Sequence, residues 1–415
     1  MESHDPYAAF RLPDYRRLLF AGVASSVGGE IQAVAIGWEL YKRTHSATVL
    51  GLIGLVQILP VYALALPAGH AADVYSRRRL FVMAQGVLTI ATLGLAALSF
   101  GQGPVWASYA CLAVTGVGQA LLRPTRWALM PEVVPRAVLH NAITWNSTGW
   151  QIAAVIGPAI GGRLLAATHH AGWAYVTNAG LSVLAILFIL SIRTRPGPRP
   201  EEPATLGSFL AGFRFVGSNN LILATITLDL FAVLLGGAQA LLPMFASDIL
   251  HVGPEGLGWL RSAEAIGAVL MAVTLAHRRP FRRAGPTLLV AVVGFGLAMI
   301  GFGLSRDVRV SFLMLVMAGA VDNISVVVRS TLVQVLTPDA MRGRVSAVNS
   351  LFIGTSNELG GFESGITAAW FGPVASVVGG GVGTLLVVIA VAMIWPKLLR
   401  LGSIDGKVER APPPN

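Results

Sequence analysis

Arg126, Pro135, Asn146 and Ser147 return as Arg329, Pro338, Asn349 and Ser350, each 203 positions further along the chain (329 − 126). One offset shared by four residue types means that the chain carries a duplicated half. Long apolar runs frame each copy, so the duplicated object is a bundle of membrane helices. Two related bundles about a pseudo-twofold axis create a solute site near the middle of the bilayer.

Composition points the same way. Hydrophobic residues make up 54% of the chain and charged residues 12%, and the mean hydropathy is +0.68. Soluble domains carry roughly 25% charged residues because water covers most of their surface, so a deficit of half implies lipid as the outer solvent. The first apolar segment follows Asp5, Arg11, Asp14, Arg16 and Arg17 and has no small-residue cleavage site near residue 30, so it is expected to be retained as a span. The single cysteine, Cys111, lies in an apolar run, which excludes a disulfide framework and a cysteine metal site.

With about 20 apolar residues needed per crossing, the sequence predicts an all-α membrane protein with twelve spans in two pseudo-symmetric groups of six. The first group covers 18–41, 48–68, 80–100, 104–123, 141–166 and 172–192; the second covers 221–244, 256–276, 286–305, 309–329, 345–368 and 373–396. The expected organisation is a bundle over 1–192, a linker over 193–220, a second bundle over 221–398 and a tail over 399–415. The linker opens with RTRPGPRPEEP and continues into an amphipathic stretch containing Phe209, Phe213 and Phe215, expected to lie along the membrane surface.

Orientation follows from the cations. Arg77, Arg78 and Arg79, then Arg126 and Arg136, then Arg193, Arg195 and Arg199 follow alternate spans of the first half. The second half matches with Arg278, Arg279, Arg282 and Arg283, with Arg342 and Arg344, and with Lys397, Arg400, Lys407 and Arg410. The opposite side holds only Lys42, Arg43, Arg163, Arg306 and Arg309, with Arg261 just inside a span, so both termini are expected in the cytoplasm. The net charge of +10 then fits anionic lipid headgroups; nucleic acid does not suit arginines confined to short loops between spans.

The loop after span 2 reads GHAADVYSRRR, from Gly69 to Arg79, and resembles the G-x-x-x-D-x-x-x-R-R-R signature of the major facilitator superfamily. The resemblance implies a cytoplasmic charge relay between the two halves, carried here by Gly69, Asp73, Arg77 and Arg78; the matching loop of the second half, His277 to Arg283, lacks the aspartate. In span 5, Gly157, Pro158, Gly161 and Gly162 resemble the antiporter signature of the same superfamily, with Ala153 in place of its leading glycine. Glycines four apart let another helix approach and the proline bends the span; in the family this segment is associated with export. FRLPDYRRL before span 1, WELY at its end, PDAMRGRV at 338–345 and SNELGGFESG at 356–365 are similar to the drug and siderophore efflux branch, over essentially the whole chain. That resemblance implies a monomeric inner-membrane exporter without a cofactor.

Ionisable groups inside a bilayer are expensive and are therefore candidates for function. They are Glu30 in span 1, Asp229 in span 7, Asp322 in span 10 and Glu358 in span 11. The resemblance implies that spans 1, 4, 7 and 10 line the cavity, which makes Glu30, Asp229 and Asp322 candidates for the path, with Glu30 first. A carboxylate in a low dielectric can exchange a proton near neutral pH, as coupling to a proton gradient requires. Asp322 with Asn323, and Asn357 with Glu358, could instead hydrogen-bond between helices. Arg261 and Glu264, three apart, could neutralise each other. Arg123 follows four residues after Gln119, the repeat position of Asp322, so it could face the cavity and meet Glu30 or an anionic substrate, or else snorkel to the surface. Glu39 is expected to snorkel beside Trp38 and Tyr41. Trp38, Trp106, Trp173 and Trp395 suit the interfacial belt, whereas Trp145 and Trp150 flank Asn146 and Ser147 and could contact the linker or the other half.

No G-x-x-x-x-G-K-[ST] loop is present, which excludes ATP hydrolysis by this chain. Adjacent His169 and His170 have no third ligand at metal spacing, and nothing outside the bilayer suggests an enzyme. The sequence therefore predicts proton-coupled export of a small organic molecule, with a uniporter or importer of the same fold, or a non-transporting membrane sensor, as alternatives.

Overall fold

The computed structural model describes residues 5–193, 206–278 and 281–402, and every regular element in that range is helical. The expected spans appear as α1 (Pro13–Thr44), α2 (Ala47–Ala63) with α3 (Ala65–Val74), α4 (Arg77–Phe100), α5 (Val105–Val133), α6 (Leu139–Thr168) and α7 (Ala171–Leu190). After α8 (Leu206–Ser218) come α9 (Asn220–Gly236), extended by short turns to Ile249, then α10 (Gly253–Ala276), α11 (Ala284–Leu304), α12 (Val308–Leu336), α13 (Arg342–Phe371) and α14 (Pro373–Ile394). Most of linker 193–203 and most of tail 399–415 lie outside the described residues, as do the side chains of Asp73 and Phe209.

Ten of these segments are long and apolar enough to cross a bilayer. The other two of the twelve expected spans are present as helices that fall short of that length or apolarity for different reasons. Span 2 is broken at Leu64, which leaves α2 at 17 residues. Pro67 has no N–H for the carbonyl four residues earlier, and its ring crowds that carbonyl, so the helix is interrupted there. Helix α13 is long enough at 30 residues but carries Arg342, Arg344, Glu358 and Glu363.

The repeat offset extends to helix ends. Shifting α5 by 203 gives the limits of α12, and shifting α6 gives those of α13; even the short 3-10 turns before α6 and α13, Arg136–Val138 and Asp339–Met341, coincide. At the end of the α9 span the backbone widens into a π-turn over Phe245–Ile249, where Leu250 N–H donates to the Phe245 carbonyl at 2.8 Å.

The chain packs as two compact units. One contains the described residues of Met1–His45, Ile53–Ala204 and Val252–Ser262; the other contains those of Ser46–Leu52, Thr205–His251 and Ala263–Asn415. In the first unit α1 packs on α6 and α7, and α4 on α5 and α7. Its core gathers Tyr15, Leu18, Leu19, Phe81, Leu129 and Ile189. In the second, α11 packs on α12 and α14, and α9 on α13 and α14, around Leu228, Leu288, Leu332 and Val391. Amphipathic α8 joins that unit through Val216, which packs with Ile222 and Val345, and through Phe213, whose ring lies 5.7 Å from that of Phe352.

Candidate functional site

Glu30 sits midway along α1, its side chain 30% exposed, with Oε2 3.6 Å from Nε of Arg261 on α10. Arg261 therefore turns to Glu30 rather than to Glu264, the neighbour expected from spacing; Glu264 instead accepts a hydrogen bond from the Gln239 amide. Gly157 of α6 packs on the stem of this side chain: a Cβ added there would lie 2.6 Å from Cβ of Glu30. Gly161 faces the backbone of Ile31 in the same way, and Gly162 faces Gly258 of α10, where an added Cβ would stand 2.9 Å from the glycine Cα. Buried Pro158 lies between these glycines within a helix that runs unbroken to Thr168. The antiporter-like segment is thus a set of close-approach positions, Gly157 and Gly161 against α1 and Gly162 against α10.

One turn before Glu30, Ser26 accepts from Arg126 Nη1 of α5 at 3.3 Å, and Asn146 Oδ1 of α6 accepts from Nη2 at 3.2 Å. Among the described residues Arg126 forms no ion pair. Gly22 is packed against the guanidinium, where an added Cβ would come to 2.5 Å from Nη2. Arg123 is exposed and Gln119 partly buried. Glu30 takes Arg261 as its counter-charge, not Arg123.

A neutral polar cluster joins α1 to α4 and α7. Gln32 Oε1 accepts from Thr92 Oγ1 and from Asn178 Nδ2, both at 2.8 Å, and Gln85 Nε2 donates to Ser182 Oγ at 2.8 Å. Sequence reasoning missed it because the search was confined to charges; Gln32, Gln85 and Asn178 within apolar helices were the available signal.

Gly69 and Asp73 fall on α3, just before the arginines that open α4. Arg77 pairs with Glu132 at the end of α5 at 3.3 Å and donates to the Ala128 carbonyl at 2.8 Å; Arg78 donates to the Leu190 carbonyl. None of these three acceptors was named from sequence. Trp145 is also placed differently from expectation: its Nε1 donates to the Pro6 carbonyl at 2.9 Å and its ring packs on Tyr7 and Phe10, so it fastens the N-terminal segment; Trp150 is exposed. Glu39, expected to snorkel, accepts from Tyr175 Oη at 2.7 Å and lies 3.7 Å from Arg43. With Trp38, Lys42, His169 and His170 it lines a pocket of about 560 Å³ at one end of the first unit.

In the second unit Asp229 of α9 and Arg329 of α12 form a direct ion pair, with side chains 10% and 4% exposed. Both residues stood out in the sequence, but not as a couple. Ser26 is the repeat position of Asp229, so the offset would have exposed the correspondence. Asp322 lines a small cavity with Asp229, Phe295 and Ser325. Asn323 Oδ1 is buried without a hydrogen bond, and Asn357 donates to the Ile353 carbonyl of its own helix. Glu358 and Asn349 are partly buried on α13. Gly360 repeats Gly157 and packs on the backbone of Val233 and Leu234, Val233 standing where the first half has Glu30.

The arrangement offers one buried and several partly buried carboxylates, two guanidinium groups at matching places and glycine-mediated helix contacts, which suit moving charge and solute through a bundle. The profile of a family described as transmembrane secretion effector matches residues 4–410. Curated relatives include the enterobactin exporter EntS of Citrobacter koseri, 28% identical over 412 residues that cover 97% of this chain and 94% of the relative. The enterobactin exporter EntS of Shigella boydii serotype 4 is 27% identical over 398 residues, covering 94% and 93%. Among solved structures, a bacterial homolog of the human lysosomal transporter Spinster, in an inward-facing and occupied conformation, has a TM-score of 0.74 at 15% identity, with 99% of this chain and 100% of that chain covered. The nucleoside transporter NupG gives 0.74 at 13% identity, with 92% and 99% covered. The chain is a membrane transporter and not an enzyme, and it belongs to the transmembrane secretion effector family of the major facilitator superfamily.

Proposed function

We propose that this protein exports a small organic molecule across the inner membrane by proton antiport, with alternating access between two halves built from the repeated bundles. The observation that carries the reading is Glu30: a carboxylate inside a span, held by the glycines of an antiporter-like segment and facing one arginine at 3.6 Å. An ionised Glu30 holds Arg261; a proton arriving from the outside neutralises the acid and frees the arginine. Losing that proton on the inner side restores the pair, so the direction of the gradient sets the direction of the cycle. The relatives named enterobactin exporter support an organic cargo moving outward. Both termini lie in the cytoplasm, in keeping with the positive-inside rule, with the basic loops against anionic lipid and the protein acting as a monomer. Asp73, Arg77 and Arg78 contribute a latch on that side; Asp322 and Glu358 are secondary proton sites.

The test is a pH jump across proteoliposomes containing purified protein. Wild type is expected to drive solute flux with the gradient and to move protons in the opposite direction. Glu30→Gln should keep downhill flux but lose its response to pH. A variant that still follows the gradient would remove Glu30 from the coupling step, and Asp322→Asn would then be the next substitution to measure.

A further inference from the structure

Arg126 and Arg329 occupy the same place in two copies of one bundle, since the helices that carry them coincide end for end under the repeat offset. At Arg329 the charge is neutralised from within: Asp229 pairs with it, and both side chains are nearly buried. At Arg126 the position of that aspartate is held by Ser26, and the guanidinium has only an alcohol at 3.3 Å and an amide oxygen at 3.2 Å, both neutral and both long for a charged donor. Gly22, where the second copy has Thr225, leaves the guanidinium room to sit against α1. An arginine inside an apolar bundle is costly until an anion joins it, and its planar fork of five donors matches a carboxylate two bonds at a time.

The helix face around it strengthens the contrast. Gln119, Arg123 and Arg126 follow one another at intervals of four and three along α5, which places them in one stripe. The corresponding positions on α12 are Asp322, Val326 and the already paired Arg329. One copy thus presents two cations without a carboxylate paired to Arg126 among the described residues, while the other presents an acid beside a neutral pair.

We propose that Arg126 is the receptor for an anionic group of the transported molecule, a carboxylate or comparable oxyanion, which takes the place that Asp229 holds in the second copy. The cargo class is therefore an organic anion, with Arg123 assisting its approach. This rests on the exporter reading above only for the word transported; the binding site stands or falls separately.

The experiment uses full-length protein with benzoate as probe and benzamide, its neutral isostere, as control, read by the shift in thermal unfolding midpoint and by calorimetric titration. Benzoate is expected to shift wild type and Ser26→Ala, and benzamide neither. Ser26→Asp, which installs the carboxylate of the second copy, should weaken the benzoate response by about tenfold or more while the protein stays folded. Arg126→Gln should lose the response, and Arg126→Lys should retain part of it. Benzoate acting equally on wild type and Ser26→Asp, or no better than benzamide on wild type, overturns the proposal. Pre-loaded proteoliposomes separate the two readings: selective, Arg126-dependent binding without benzoate flux would support the anion site and count against transport of this probe.

Discussion

Arg126 and Arg329 share a residue type, a helix position and a repeat, yet one is held by an alcohol and an amide while the other is locked to an aspartate. Duplication supplied the geometry twice, and later substitution at a single neighbouring position, Ser26 against Asp229, decided whether the cation is satisfied from within. The same divergence appears one turn away, where Gly157 packs on Glu30 in one copy and Gly360 packs on the Val233 region in the other. The arginine and the Gly157/Gly360 contact were kept in both copies, whereas the acidic positions beside them, Ser26 against Asp229 and Glu30 against Val233, were not.

The largest way to test that contrast is Asp229→Ala. It leaves Arg329 buried and uncompensated and should lower stability by about 3–5 kcal/mol, whereas adding Arg329→Met should recover most of the loss. A thermal melt in detergent reads both, and an unchanged midpoint for the single variant would erase the distinction between the two arginine sites. Next in size, Gly157→Val and Gly360→Val should each cost about 1–3 kcal/mol by overpacking. Only the first is expected to alter the pH response of transport, because only it displaces an acid; equal effects on both stability and pH response would weaken the division of labour. Ser26→Asp should raise the unfolding midpoint, by a gain on the order of 1 kcal/mol for a partly buried pair with Arg126. A lowered midpoint would mean that the serine site cannot accept the geometry of its counterpart. Smallest of all, Glu255→Gln removes the exposed partner of Arg163, whose side chain is 76% accessible, and should change stability by less than about 0.5 kcal/mol.

Much of this architecture was legible beforehand, because apolar runs of bilayer length and a constant offset are properties of sequence alone. Spans 4 and 10 were expected at 104–123 and 309–329, whereas the helices run Val105–Val133 and Val308–Leu336. The extra turns carry Arg126, Thr331 and Gln334, polar residues that hydropathy reads as the end of a span but helix geometry does not. The break at Leu64 was hidden because proline effects depend on which carbonyl loses its donor. Pairings were the least accessible. Arg261 had a carboxylate three residues away and chose one far away in sequence, since proximity along a helix does not fix the direction of a long side chain. Arg77 likewise meets Glu132, a partner that a loop motif does not specify.

The amide and hydroxyl knot of Gln32, Thr92 and Asn178 ties α1, α4 and α7 together with groups that neither gain nor lose charge between acid and neutral conditions. Changes in acidity leave this rivet untouched, and added salt cannot screen it. The helices of the first bundle are therefore joined by a link that holds its strength across a wide range of solution conditions.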